Sequence, residues 1–114
     1  MDRTTRFSRL SAGRQALVRL FQSTIFGHIE GLEIRGGEPV FNPAPIVFQE
    51  VKLDTVHEPP VRLSDLPDFE LREEIIRLMD ELDQLRDGII ERIDIRYGIP
   101  RRAVIERPIQ GVRR

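Results

Sequence analysis

"GIIERIDIRYGIP" (Gly88–Pro100) restates an earlier stretch, "GHIEGLEIRGGEP" (Gly27–Pro39). Gly27, Ile29, Glu30, Ile34, Arg35, Gly37 and Pro39 recur as Gly88, Ile90, Glu91, Ile95, Arg96, Gly98 and Pro100, seven identities in 13 positions at a constant shift of 61 (88 − 27). Leu32 with Ile93 and Glu33 with Asp94 add conservative matches. Within each copy the apolar residues alternate with charged ones, as a strand with one buried face requires. A glycine then permits reversal into a return strand. The step from Ile29 to Leu32, and from Ile90 to Ile93, is three rather than two. Both strands therefore change phase near Glu30 and Glu91, through a β-bulge or by beginning only after that point.

Helix signals precede both copies. Ser11 is a candidate N-cap, and Leu17, Val18, Leu20 and Phe21 give an apolar face over about residues 12–23. Asp68 is the candidate cap of a second helix, in which Leu71, Ile75, Leu78, Leu82 and Leu85 repeat at helical spacing, with Phe69, Ile76 and Met79 widening the face. Glu73, Arg77 and Glu81 form an alternating-charge ladder on its outer side. "RQALVRLF" (Arg14–Phe21) matches "REEIIRLM" (Arg72–Met79) at a shift of 58, which predicts a second helix about one turn longer before its strand. "FNPAP" (Phe41–Pro45) lacks the donors of a central strand and reads as an extended crossing, after which "IVFQEVKL" (Ile46–Leu53) resumes β character.

The expected fold is α+β: a tandem α-β-β repeat forming a mainly antiparallel sheet of about four strands, with two helices on one face and a pseudo-twofold axis between the halves. One such unit is too small to bury its apolar face alone, whereas two can cover each other. The chain is expected to be a single domain over residues 1–114. Its parts are a basic arm (1–10), a first repeat (11–53), a Pro-rich linker (54–67), a second repeat (68–110) and a basic tail (111–114).

"IFGHIEGLEIRGGEPV" (Ile25–Val40) and "LRDGIIERIDIRYGIP" (Leu85–Pro100) resemble the small YezD-like bacterial proteins, which are single helix–hairpin units. The resemblance implies one such unit in each half, and no activity, cofactor or site residue comes with it.

Composition narrows the chemistry. With 39% hydrophobic and 32% charged residues, the 114-residue chain is expected to fold as a soluble globular protein. Cysteine is absent, which excludes disulfides, a thiolate nucleophile and a cysteine-based zinc site. No apolar run is long enough for a membrane span or a signal-peptide core, so no membrane partner is expected and the cytoplasm is the expected compartment. His28 and His57 are isolated, and the second copy carries Ile89 where the first has His28. Asp80, Asp83, Asp87, Glu91 and Asp94 could attract a hard cation but read more simply as a solvated acidic face. The pairs Glu30/Glu33 and Glu91/Asp94 fit the polar side of a half-buried sheet better than an acid/base pair. Gly36 and Gly37 lead into no helix and form no phosphate loop. The expectation is therefore a non-catalytic protein without metal or cofactor.

That leaves binding. The first expectation is a structural or adaptor protein acting through a protein partner or homo-oligomer, with Arg92, Tyr97, Ile99, Phe41 and Phe48 as candidate contacts. The alternative is nucleic-acid binding by the Arg-rich ends. Residues 1–22 hold five Arg against one acid, residues 98–114 hold five against one, and the body between is acidic. The candidate anion contacts are Arg3, Arg6, Arg9 and Arg14 at one end, and Arg101, Arg102, Arg107, Arg113 and Arg114 at the other.

Overall fold

The computed structural model describes residues 5–54 and 66–107. The expected basic arm and linker lie partly, and the basic tail wholly, outside these residues. A short turn of 3-10 helix (Phe7–Arg9) leads into α1 (Ala12–Thr24), β1 (Phe26–Arg35), β2 (Glu38–Val40) and β3 (Ile46–Gln49). After residues 55–65 follow α2 (Glu73–Leu85), β4 (Gly88–Arg96) and β5 (Ile99–Ile105). The architecture is α+β: a mainly antiparallel sheet with the helices against it. Its order is β2-β1-β4-β5, with β3 as a fifth strand on β1. β2 and β3 share one edge of β1, β2 on Glu33–Arg35 and β3 on Gly27–Glu30.

Alternation decides which side of the central pair is buried. Ile29, Leu32 and Ile34 of β1 and Ile90, Ile93 and Ile95 of β4 are at most 4% exposed. They pack with Leu17, Val18 and Phe21 of α1 and Ile75, Leu78, Met79 and Leu82 of α2 in one core. Burying such side chains stabilises by about 1.5–3 kcal/mol each, so this layer dominates the favourable energy. The β1·β4 ladder pairs Gly27 with Ile95 and Ile34 with Gly88, His28 with Asp94 and Glu33 with Ile89, Ile29 with Ile93 and Leu32 with Ile90. In each of these couples, shifting both residues by 61 turns one pair into the other.

The three-residue step is a bulge inside continuous strands, not a late strand start. Between Ile90 and Arg92 the β4–β5 register slips, since their partners are the consecutive residues Ile105 and Val104. Glu91 is thus the extra residue. Opposite it in β1, Gly31 has φ +73°. Because the two irregularities face each other, the β1·β4 register runs through unbroken.

Each helix passes into its strand through one non-glycine residue at positive φ: Ile25 (φ 68°) after α1 and Arg86 (φ 62°) after α2. Their N–H groups donate to the Phe21 and Leu82 carbonyls (3.1 Å each). Their carbonyls accept from the turn glycines of the opposite hairpins, Gly98 N–H to Ile25 (2.9 Å) and Gly37 N–H to Arg86 (2.8 Å).

Several expectations need correction. The helices have the same length, 13 residues each, and α2 starts 61 residues after α1 (73 − 12), the spacing of the two quoted stretches and not 58. Helix α2 begins at Glu73, so Asp68 does not cap it; Arg72 occupies the N-cap position without a side-chain bond. Residues 69–71 are instead drawn into extended pairing with the N-terminal segment, Phe7 N–H to the Phe69 carbonyl (2.9 Å) and Leu71 N–H to the Thr5 carbonyl (2.8 Å). Residues 5–10 are accordingly docked and are no free arm: Phe7 and Leu10 are buried, and Phe7 stacks on Phe69 at 4.9 Å with the Arg19 guanidinium 4.2 Å above its ring. Glu81 pairs across to Arg107 rather than forming a ladder along its own helix. The β character expected through Leu53 ends at Gln49.

Asp68 holds this N-terminal clasp. Its Oδ1 accepts the Ser8 N–H (2.8 Å) and its Oδ2 the Arg6 Nε–H (3.0 Å). The Ser8 backbone N–H foremost, with Arg6 beside it, lowers its pKa from 3.8 to about 2. A carboxylate whose pKa falls on folding contributes stability that is complete above the unfolded value and lost as pH drops through the folded one. Asp68→Asn is therefore expected to be less stable than wild type at neutral pH, the gap closing between pH 3.8 and about 2. Urea denaturation across that range measures it, and a gap independent of pH would contradict the assignment.

Candidate docking surface

The sheet buries one face under the helices and turns the other outward, with no covering layer among the described residues. The outward face is mixed in chemistry. On β3, Phe48 stands opposite His28 and stacks on it at 4.7 Å. His28 Nε2 lies 3.1 Å from Glu30 Oε2. Arg92 Nε donates to Asp94 at 2.7 Å, and Arg35 pairs with Glu33. Ile46, Phe48, Ile89 and Val104 remain exposed among these charges, between 44% and 59%. Glu30 and Glu91 flank a shallow hollow with Gly31, Ala44 and Ile46. No group of three or more His, Cys, Asp or Glu among the described residues could hold a metal ion.

The two sheet edges differ more than the two faces. On one side the edge is broken into β2 and β3, three and four residues long, with Pro39, Pro43 and Pro45 in and between them. Proline lacks the N–H a ladder needs and interrupts any added strand. On the other side β5 runs seven residues and has no neighbour beyond it among the described residues. Only Pro100, its second residue, interrupts its donors. Between β5 and α2 opens a groove of about 570 Å³ with Leu78, Pro100 and Ala103 on its apolar side. Two ion pairs join its walls, Arg101 to Glu74 (3.0 Å) and Arg107 to Glu81. Arg77 also lines it, and no carboxylate among the described residues pairs with it.

The predicted contact residues separate on this frame. Arg92 and Phe48 share the outward face. Tyr97 is 66% exposed at the β4–β5 turn, edge-on to Phe26 at 4.9 Å. It holds φ 56° where the first hairpin has Gly36 at φ 60°. A left-handed tyrosine costs about 1–2 kcal/mol, and such strain tends to gather at functional positions. Ile99 is buried at 8% and Phe41 packs on the core, so neither is an open contact. Both were misplaced because alternation fixes a side chain's face only once the turn register is known.

The arginine set divides likewise. Arg6 is held by Asp68 and Glu70, Arg101 by Glu74, and Arg107 by Glu81. Arg14 is structural: only 13% of its side chain is exposed, and its Nη2 donates to the Gly37 carbonyl (2.8 Å) and to Asp83 (2.5 Å). Its Nε lies 3.6 Å from Glu38, close enough for an ion pair but not for a hydrogen bond. Arg9 and Arg102 are exposed and pair with no carboxylate among the described residues. Arg3, Arg113 and Arg114, like His57, lie outside those residues. Sequence reasoning missed Ile46, Ile89 and Val104 as exposed apolar positions. Ile46 and Phe48 were visible as a second phase beside Val47, but which phase faces out depends on the pairing with β1.

Comparison with protein-family models, with curated proteins and with solved structures found no match.

The structural reading of Arg14 separates it from a surface arginine. Arg14→Met strips a partner from a partly buried carbonyl and two carboxylates, and is expected to lower unfolding stability by about 1–3 kcal/mol. Arg102→Ala should stay within about 0.5 kcal/mol of wild type. Urea denaturation of the two variants checks the contrast.

Proposed function

We propose that the chain consists of two copies of one helix–hairpin unit closed on each other, and that it serves as a non-catalytic adaptor acting through protein–protein contact. The observation that carries this reading is the unequal treatment of the sheet edges. One is shortened and proline-broken, while β5 presents seven residues of backbone beside an amphipathic groove. Proteins ordinarily blunt a free edge because it templates pairing. An edge left long next to a groove is the arrangement that strand addition uses, the main chain providing affinity and the groove selecting side chains.

Affinity capture from the native cell, together with light scattering of the purified protein, tests the reading. A partner or a self-associated form is expected, reduced by Ala103→Pro in β5. A strict monomer that captures nothing would overturn it.

A second reading, single-stranded nucleic acid on the outward face, is favoured by one arrangement. Phe48, His28 and Tyr97 offer ring surface on the side that carries Arg102, which stands opposite Asp94 in the ladder. Aromatic stacking with phosphate contact is how such strands are held. Binding of a fluorescent oligonucleotide at low salt, weakening steeply as salt rises and lost in Phe48→Ala, would support it. No binding at low salt would remove it.

A further inference from the structure

We infer that the strand added to β5 is β5 of a second copy of this chain, giving a twofold dimer with one continuous sheet. This rests on the adaptor reading and names its partner. The edges supply the first argument. Because the β2/β3 side is proline-broken and β5 is free of proline after Pro100, self-pairing consumes the one long open edge among the described residues of each copy. Such pairing is isologous and stops at two, where a protein with two open edges would run on into fibres.

Register supplies the second. Arg101 and Arg102 are adjacent on β5, and Ala103 follows them. With Ala103 opposite Ala103 across an antiparallel junction, Arg102 faces Val104 of the other copy, and the regular pairing ends at Arg101, where the β4–β5 register slips. This places the smallest side chain of the strand on the axis and keeps the guanidinium groups from standing directly opposite one another. A centre at Arg102 would set like charges against each other, an arrangement that destabilises cross-strand pairs. The selected register leaves Val104, 47% exposed, covered by neighbours on both sides.

Charge supplies the third. An axis perpendicular to the sheet keeps both helical layers on one side and brings the two α2 helices together antiparallel, groove against groove. Arg77 sits between Glu74 and Glu81 along the groove wall, and it alone of the three has no ion-pair partner among the described residues. Antiparallel apposition brings Arg77 of each copy toward Glu74 and Glu81 of the other, where it shares carboxylates already paired with Arg101 and Arg107.

The test is the mass in solution by light scattering and sedimentation over a wide concentration range. A species of twice the 13.3 kDa chain mass is expected. Arg77→Glu, which changes an exposed side chain and no core contact, should weaken dimerisation about tenfold, as removal of a complementary interface charge does. Ala103→Pro should give monomer with an unchanged far-ultraviolet helix signal, and Phe48→Ser on the outward face should leave the dimer intact. Amide exchange adds a readout that simple destabilisation would not reproduce: Arg101–Ile105 should lose protection on dilution or in Arg77→Glu, while β1 and β4 stay protected. A monomer at every concentration that still captures a protein through β5 would overturn this inference and leave the adaptor reading standing. A dimer indifferent to both β5-side variants but abolished by Phe48→Ser would place the second copy on the outward face and overturn it equally.

Discussion

Everything in this molecule hangs on the antiparallel pairing of β1 with β4, and on the two hydrogen bonds that lock each hairpin turn to the opposite helix end. Gly37 N–H reaches the Arg86 carbonyl and Gly98 N–H reaches the Ile25 carbonyl, so each turn satisfies the backbone of the other half's helix–strand junction. Ile25 (ψ −64°) and Arg86 (ψ −67°) stand at positive φ, in the strained conformation of a γ-turn. They are held there from both sides, each donating into its own helix and accepting from the opposite turn. The junction makes each helix fold straight back over its strand. Because the two strands are antiparallel neighbours, both helices arrive on the same face.

From that arrangement the distribution of exposed groups follows. One face of the sheet is spent on the core, and the N-terminal clasp of Phe7, Phe69 and Arg19 seals the helical side. The outward face keeps its polar side chains in local pairs such as Arg92 with Asp94 and Arg35 with Glu33, which leave few charges free to recruit a ligand. Arginines that look like a phosphate-binding set in the sequence are for the most part bound to carboxylates: Arg6 to Asp68, Arg14 to Asp83, Arg101 to Glu74, Arg107 to Glu81. Among the described residues, the strand edge left without a neighbour is that of β5. The proposal of strand pairing rests on that edge.

Legibility followed the range of the interaction. The helices could be read because their apolar spacing is local, and the phase change because a step of three breaks an otherwise alternating strand, although the sequence left a bulge and a late strand start as alternatives. The shift of 58 between the helices was misread because a displacement of three residues nearly restores the apolar face of an amphipathic helix. Periodicity alone cannot distinguish such registers; the strands, with period two and a glycine turn, fix the shift at 61. Asp68 has the chemistry of a helix cap, yet it serves a different backbone N–H, that of Ser8, 60 positions away in sequence. Nothing local marks that contact.

The sequence by itself determined the helix–hairpin order, the buried apolar set of the two central strands, the position of the phase change and the turns at Gly36–Gly37 and Tyr97–Gly98. These depend on side-chain period and backbone freedom, which neighbouring residues settle among themselves. Only the tertiary structure decided which arginines are neutralised, that Ile99 and Phe41 turn inward, and that the proline-broken strands and β5 end up on opposite edges. Those outcomes depend on strand order and on contacts between residues far apart in the chain, and a residue's own neighbourhood carries no record of either.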